Sequence, residues 1–167
     1  MPEIILHNDQ EIDNHLHCEK ILLVRPKRPS EKNRNVSQRF KVQATDTKQE
    51  YSVFITYSDR MPQDFSLGLM LGDFLLFRCN GFHGSTRDKA LVGHHAYPHG
   101  HLLTMEGIHN GRAKKPSKVL DFTGKYVDLQ TAKRFFFQEC GILDPEDYFN
   151  LNQYSLFDGG ETGGDSE

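Results

Sequence analysis

Apolar and polar residues along this chain recur with a period of two through its first two thirds and with a helical period near its end. Arg39-Phe-Lys-Val-Gln-Ala-Thr45 alternates, and Glu50-Tyr-Ser-Val-Phe-Ile-Thr-Tyr57 repeats the alternation after a short polar connection. A period of two buries one side of a strand, so the two segments predict a hairpin with Tyr51, Val53, Ile55 and Tyr57 on its inner face. Phe65-Ser-Leu-Gly-Leu-Met70 and Phe74-Leu-Leu-Phe-Arg-Cys79, joined around Leu71-Gly72-Asp73, predict two further strands. Lys20-Ile-Leu-Leu-Val-Arg25, stopped by Pro26, predicts an earlier strand that leads into a polar loop. Pro98-His-Gly-His-Leu-Leu-Thr-Met105 reads as the chain re-entering the sheet, because proline is tolerated at the first residue of a strand.

The period then changes. From Asp128, an N-cap residue, Leu129, Ala132, Phe135, Phe136 and Cys140 recur at helical spacing, and Gly141 ends the run. Asp144-Pro-Glu-Asp-Tyr-Phe-Asn150 predicts a second, shorter helix, with proline in its first turn and acids near the positive end of its dipole. The whole predicts an α+β fold: an antiparallel β-meander with one amphipathic C-terminal helix and a short second helix packed on one face. Residues 1–157 read as one domain, and 158–167, acidic and poor in apolar residues, as a disordered tail.

A chain of 167 residues can bury a continuous core without disulfide or metal staples. Its three cysteines, Cys18, Cys79 and Cys140, form no CxxC pair, which argues against a disulfide framework and against a thiolate zinc site. Met1-Pro2-Glu3 opens no cationic, apolar leader, and no apolar run approaches membrane-spanning length. We therefore expect a cytoplasmic protein with reduced thiols and no membrane partner.

The formal net charge of −3 hides an asymmetry. Lys20, Arg25, Lys27, Arg28, Lys32, Arg34, Arg39 and Lys41 meet only Glu31 within their segment, whereas Asp144 onward carries acids without Lys or Arg. A basic arm of that density suits phosphates, and it is equally readable as a solvated, mobile loop between strands.

Candidate chemistry gathers in one window. Between Arg78 and His101 stand His83, His94, His95, His99 and His101 with few large aliphatic neighbours. Imidazole exchanges protons near neutral pH and ligates metals. Asn80-Gly81 favours a turn, which places His83 at the edge of the sheet, and His99 and His101, two apart, share a strand face turned to solvent. One reading is metal-independent RNA cleavage, which needs a base for the ribose 2′-proton, an acid for the leaving 5′-oxygen and cations for the phosphorane. In it, His83, His99 and His101 are the catalytic candidates, and Arg78, Asn80, Arg87, Lys89 and Tyr97 contact the substrate. A second reading makes His94, His95, His99 and His101 ligands of zinc, nickel or copper, with Asp88 or Cys79 as an anionic ligand, although no HExxH or paired-carboxylate motif accompanies them. A third is a non-catalytic module that offers the basic arm to nucleic acid or to an acidic protein. His7, His15, His17 and His109 receive no role, and Cys79 and Cys140 read as buried thiols.

The order Phe77-Arg-x-Asn-Gly-x-His83, a polar spacer, then His94-His-x-Tyr-Pro-His-x-His101, followed by a terminal helix, resembles the TumE-like toxins of bacterial toxin–antitoxin pairs and related small bacterial families. The resemblance covers roughly the middle third of the chain. It implies a small growth-inhibiting or defence-linked protein, with a cognate antitoxin as a partner.

Overall fold

The computed structural model describes residues 3–61, 63–81, 97–116, 118–143 and 145. Strands β3 (Asn35–Ala44) and β4 (Glu50–Ser58) form the expected hairpin, with Phe40 opposite Val53 and Val42 opposite Tyr51. β5 (Phe65–Leu71) and β6 (Phe74–Asn80) continue the meander through Gly72, whose φ of 57° lies in the left-handed region that glycine adopts without penalty. The chain re-enters as β7 (His99–Leu102) and turns back as β8 (Lys118–Asp121). β1 (Lys20–Leu22) and β2 (Ser30–Lys32) both pair with β3, at its opposite ends. The result is an antiparallel sheet of eight strands in the order β1-β3-β4-β5-β6-β7-β8, with β2 beside β3.

One sheet face and the helices share a single core. Phe40, Val42, Val53, Ile55, Leu67, Leu69, Phe77 and Cys79 alternate onto this face. Helix α1 (Asp9–His17) adds Ile12 and Leu16, and α3 (Leu129–Glu139) adds Ala132, Phe136 and Phe137. The Phe77 and Phe136 rings stack 5.9 Å apart, and Phe40 meets Phe137 at 6.4 Å. The α3 signals act as read from the sequence. Asp128 caps the helix in a reciprocal box with Thr131, and Gly141 ends it at φ 68°, where a Cβ would press on the Cys18 and His17 carbonyls. A short α2 (Met105–His109) is capped by Thr104 and places His109 in its last turn.

Two expectations change, and one element appears that the sequence did not predict. The basic arm is not simply a mobile loop: Ser30–Lys32 pairs with Asn35–Ser37 through a turn at Asn33 and Arg34, both at positive φ, while its side chains stay exposed. The polar N-terminal stretch folds as α1, which Asn8 caps through the Glu11 amide. The strand from Lys20 does not run on to Arg25; it ends at Leu22, leaving Leu23 and Val24 exposed. The helix expected over Asp144–Asn150, apart from Pro145, and the acidic tail lie outside the described residues.

Lys20 ties the ends of the domain together. Its side chain is fully buried, yet the ammonium donates to the carbonyls of Leu16 at 2.8 Å, Cys18 at 2.9 Å and Cys140 at 2.7 Å, and lies 4.9 Å from the centre of the Tyr51 ring. Burial lowers its pKa from the ordinary lysine value. The three carbonyls belong to the last turn of α1, the α1–β1 link and the end of α3, so one cation satisfies acceptors on segments far apart in sequence. Lys20→Met keeps most of the volume and leaves those acceptors without their donor. It should lower the unfolding free energy by roughly 3 kcal/mol in a chemical denaturation series, whereas an unchanged midpoint would mean that water replaces the ammonium.

Candidate functional site

The sheet face turned away from the core carries two rows that run across the strands. Register places Ser37, Thr56, Ser66, Asn80, His99 and Asp121 side by side from β3 to β8, all of them polar. The neighbouring row is Arg39, Phe54, Gly68, Arg78, His101 and Val119. His99 and His101 therefore do share a face, with their rings 5.3 Å apart and nearly perpendicular.

Their setting differs from the expected solvent-facing edge. β7 is an interior strand, flanked by β6 and β8, and His99 is 0 % exposed. His101 is half-buried. Cys79, offered as a metal ligand, alternates onto the core face, where burial raises its thiol pKa well above the ordinary range, so it cannot join His99 and His101 around one ion. Cys140 is buried and raised in the same way.

Arg78 and Asn80 organise the polar row. Arg78 Nε donates to Ser66 Oγ at 2.7 Å and to Asn80 Oδ1 at 3.0 Å, and Ser66 Oγ donates to the same Asn80 oxygen at 2.8 Å. With its oxygen committed to donors, Asn80 turns Nδ2 toward His99 Nε2, at 3.3 Å. His99 Nδ1 in turn donates to the Tyr97 carbonyl at 2.9 Å. Both His99 contacts require the same tautomer, with the proton on Nδ1 and a lone pair on Nε2. The arginine orients the asparagine, and the asparagine presents its NH₂ group to His99 Nε2.

On the core side of the same strands, Tyr126 Oη donates to the Asn80 carbonyl at 2.7 Å and lies 3.1 Å from that of His99. Burial raises the pKa of this phenol, so it remains a donor. Gly100, between the two histidines, is required by packing: a Cβ there would run into the Phe122 ring and the Arg78 carbonyl.

Among the described residues, only Nε of the Arg78 guanidinium has a hydrogen-bond partner. No carboxylate among the described residues lies within ion-pair distance, although burial opposes the guanidinium charge and lowers its pKa. Beside it opens a cleft of about 220 Å³, lined by Asn35, Thr56, Ser58, Asp64 and Ser66 among others. That is smaller than the roughly 300–1,000 Å³ of a drug-sized pocket, and its lining carries both the Arg78 guanidinium and the Asp64 carboxylate.

Of the residues singled out in the sequence, Arg78, Asn80, Tyr97, His99 and His101 come together at β6 and β7. The ring of Tyr97 meets His99 edge-on at 6.3 Å. His83, Arg87, Asp88, Lys89, His94 and His95 lie outside the described residues. Among the described residues no group of three or more His, Cys, Asp or Glu side chains converges as metal ligands, and no helix is long and apolar enough to cross a membrane. Ser66 was missed in the sequence because its serine-in-a-strand signal is indistinguishable from a surface position. Elsewhere, His15 Nδ1 pairs with Tyr51 Oη at 2.7 Å, and burial lowers its pKa. No family model, curated protein or solved structure matches this chain.

The hydrogen-bond order makes a spectroscopic prediction. Long-range ¹H–¹⁵N spectra at neutral pH should show His99 as the Nδ1–H tautomer, and Asn80→Leu should abolish that single fixed state. An Nε2–H tautomer or an imidazolium at His99 in the parent protein would contradict the order.

Proposed function

We propose that this sheet face binds RNA and cleaves it without a metal ion. The observation that carries the reading is Arg78, a half-buried guanidinium positioned by Ser66 and Asn80 whose terminal N–H groups have no carboxylate partner among the described residues. A partly desolvated guanidinium favours an anionic partner, and a phosphodiester can supply one in bidentate geometry. The exposed arginines and lysines of the β2–β3 hairpin add a sequence-independent attraction for polyanions.

Chemistry follows from the neighbours of Arg78. His101 is its direct cross-strand partner and serves as the proton-transferring imidazole. A ribose 2′-oxygen attacks phosphorus as its proton passes to a base, forming a 2′,3′-cyclic phosphate. The P–O5′ bond breaks, and the leaving oxygen takes a proton from an acid. Arg78 neutralises the charge that develops on the phosphorane. His99, with Nε2 facing Asn80 and Nδ1 bound to Tyr97, is a positioning residue in this arrangement, and His83 is the candidate for the second proton-transfer role. The resemblance to TumE-like toxins implies a growth-inhibiting or defence-linked role and no particular mechanism; RNA cleavage would serve such a role, and a cognate antitoxin would restrain it by covering this face.

Incubating the protein with a labelled single-stranded RNA should yield products ending in 2′,3′-cyclic phosphate, at a rate unaffected by chelator. An oligomer with 2′-deoxy substitution at the cleaved position should resist. His101→Ala should reduce the rate by about 100-fold or more, and Arg78→Met should weaken binding as well. Activity that appears only with added zinc, nickel or copper, or no binding of RNA at any salt concentration, would overturn the proposal.

A further inference from the structure

Phe54 is a large aromatic side chain on the polar face, where buried Leu75 also borders Gly68. It packs outside the core cluster, and register places it between Arg39 and Gly68. Gly68 determines the ring's attitude. A Cβ at position 68 would collide with the Phe54 ring end, so the missing side chain lets the phenyl group lie down across β5 instead of standing off the sheet. The Arg39 guanidinium carbon stands 5.7 Å from the ring centre, within cation–π range. On the other side, β6 brings in Arg78. At about 4.8 Å between strands, the two arginines lie roughly 14 Å apart across the sheet, with the ring between them.

We infer that Phe54, laid across Gly68 between Arg39 and Arg78, is a base-stacking platform that makes single-stranded RNA, and not duplex, the ligand of this face. The inference rests on the nucleic-acid reading above and deepens it. Aromatic rings on an antiparallel sheet take unpaired bases because every base has a π-face, whereas the bases of a duplex are already stacked on one another. A strand laid along the row would place one base on Phe54 and phosphates on the guanidinium groups to either side. It would then run toward His101, the next residue in the row. The platform thus aligns the backbone with the proposed proton-transfer residue instead of merely adding area. Phe54 is half-buried, so part of the side chain stays accessible beside the Arg39 guanidinium.

The test is fluorescence anisotropy with a labelled oligouridylate, the same oligomer with abasic sites in place of its bases, and an RNA duplex of equal length. Cleavage is silenced by 2′-deoxy substitution at the labelled strand's scissile positions. The parent protein should favour the single strand over the duplex. Phe54→Leu, which keeps apolar bulk without a π-face, should bind the oligouridylate roughly tenfold more weakly, while Phe54→Tyr should bind as the parent does. Abasic oligomer should bind the parent and Phe54→Leu equally, and because the parent alone must also discriminate against it, the result holds even if a variant folds poorly. Equal affinity of parent and Phe54→Leu for the oligouridylate, with binding still lost in Arg78→Met, would remove the platform and leave the phosphate site standing. Absence of binding by the parent to every probe would remove the nucleic-acid reading itself.

Discussion

The Asn80 residue joins the two faces of the sheet. Its carbonyl accepts from Tyr126 on the core side, and its side-chain amide lies between Arg78 and His99 on the polar side. Because Tyr126 also approaches the His99 carbonyl, the ends of β6 and β7 are held by the core while their alternate residues form the site. The amide can satisfy its neighbours in only one orientation. Arg78 and Ser66 claim the oxygen, which leaves the NH₂ for His99 and so dictates where that imidazole carries its proton. Arginine charge, amide orientation and histidine tautomer are thereby coupled, and a change at any one position propagates along the row.

The same arrangement explains why this face can bear buried polar groups at little cost. His99, Asn80 and Ser66 are each within 8 % of complete burial, but each has hydrogen-bond partners among its neighbours in the sheet or beside it. Buried polar groups that are satisfied specify a unique geometry. Arg78 differs in being only half-buried, and among the described residues its terminal N–H groups have no carboxylate partner, which leaves them available to a ligand. The Lys20 ammonium offers the internal comparison: it is more deeply buried, and three carbonyls surround it. Among the described residues, the fold engages all of one cation and only the Nε of the other.

Strand alternation from Arg39 to Tyr57, the Gly72 turn, the Asp128 cap and the Gly141 stop could be read directly because each signal acts within a few residues. What required the structure acts across strands. Helix α1 was obscured because Ile12 and Leu16 are its only buried side chains in a polar stretch, so the apolar stripe is too thin to register. The buried state of His99 was obscured because a His-x-His pair at the start of a re-entering strand reads as a solvent-facing edge, and only pairing with β6 and β8 shows it to be interior. Likewise, Cys79 and Asn80 are adjacent in sequence and lie on opposite faces, which separates the proposed ligand from the histidines. The pairing of Phe54 with Gly68 is a matter of register alone. Of the candidate site, Arg78, Asn80, Tyr97, His99 and His101 were legible as a cluster, while their roles depend on which atom faces which.

The most direct test of the central claim is an NMR titration of the protein with a short, cleavage-resistant oligoribonucleotide, following side-chain signals. The account predicts saturable shifts at Arg78 Nε–H and the Asn80 side-chain amide, extending to His101, while the Phe136 and Phe137 rings on the opposite face stay unchanged. Saturable shifts confined to residues away from this face, with Arg78 and Asn80 unmoved, would contradict it.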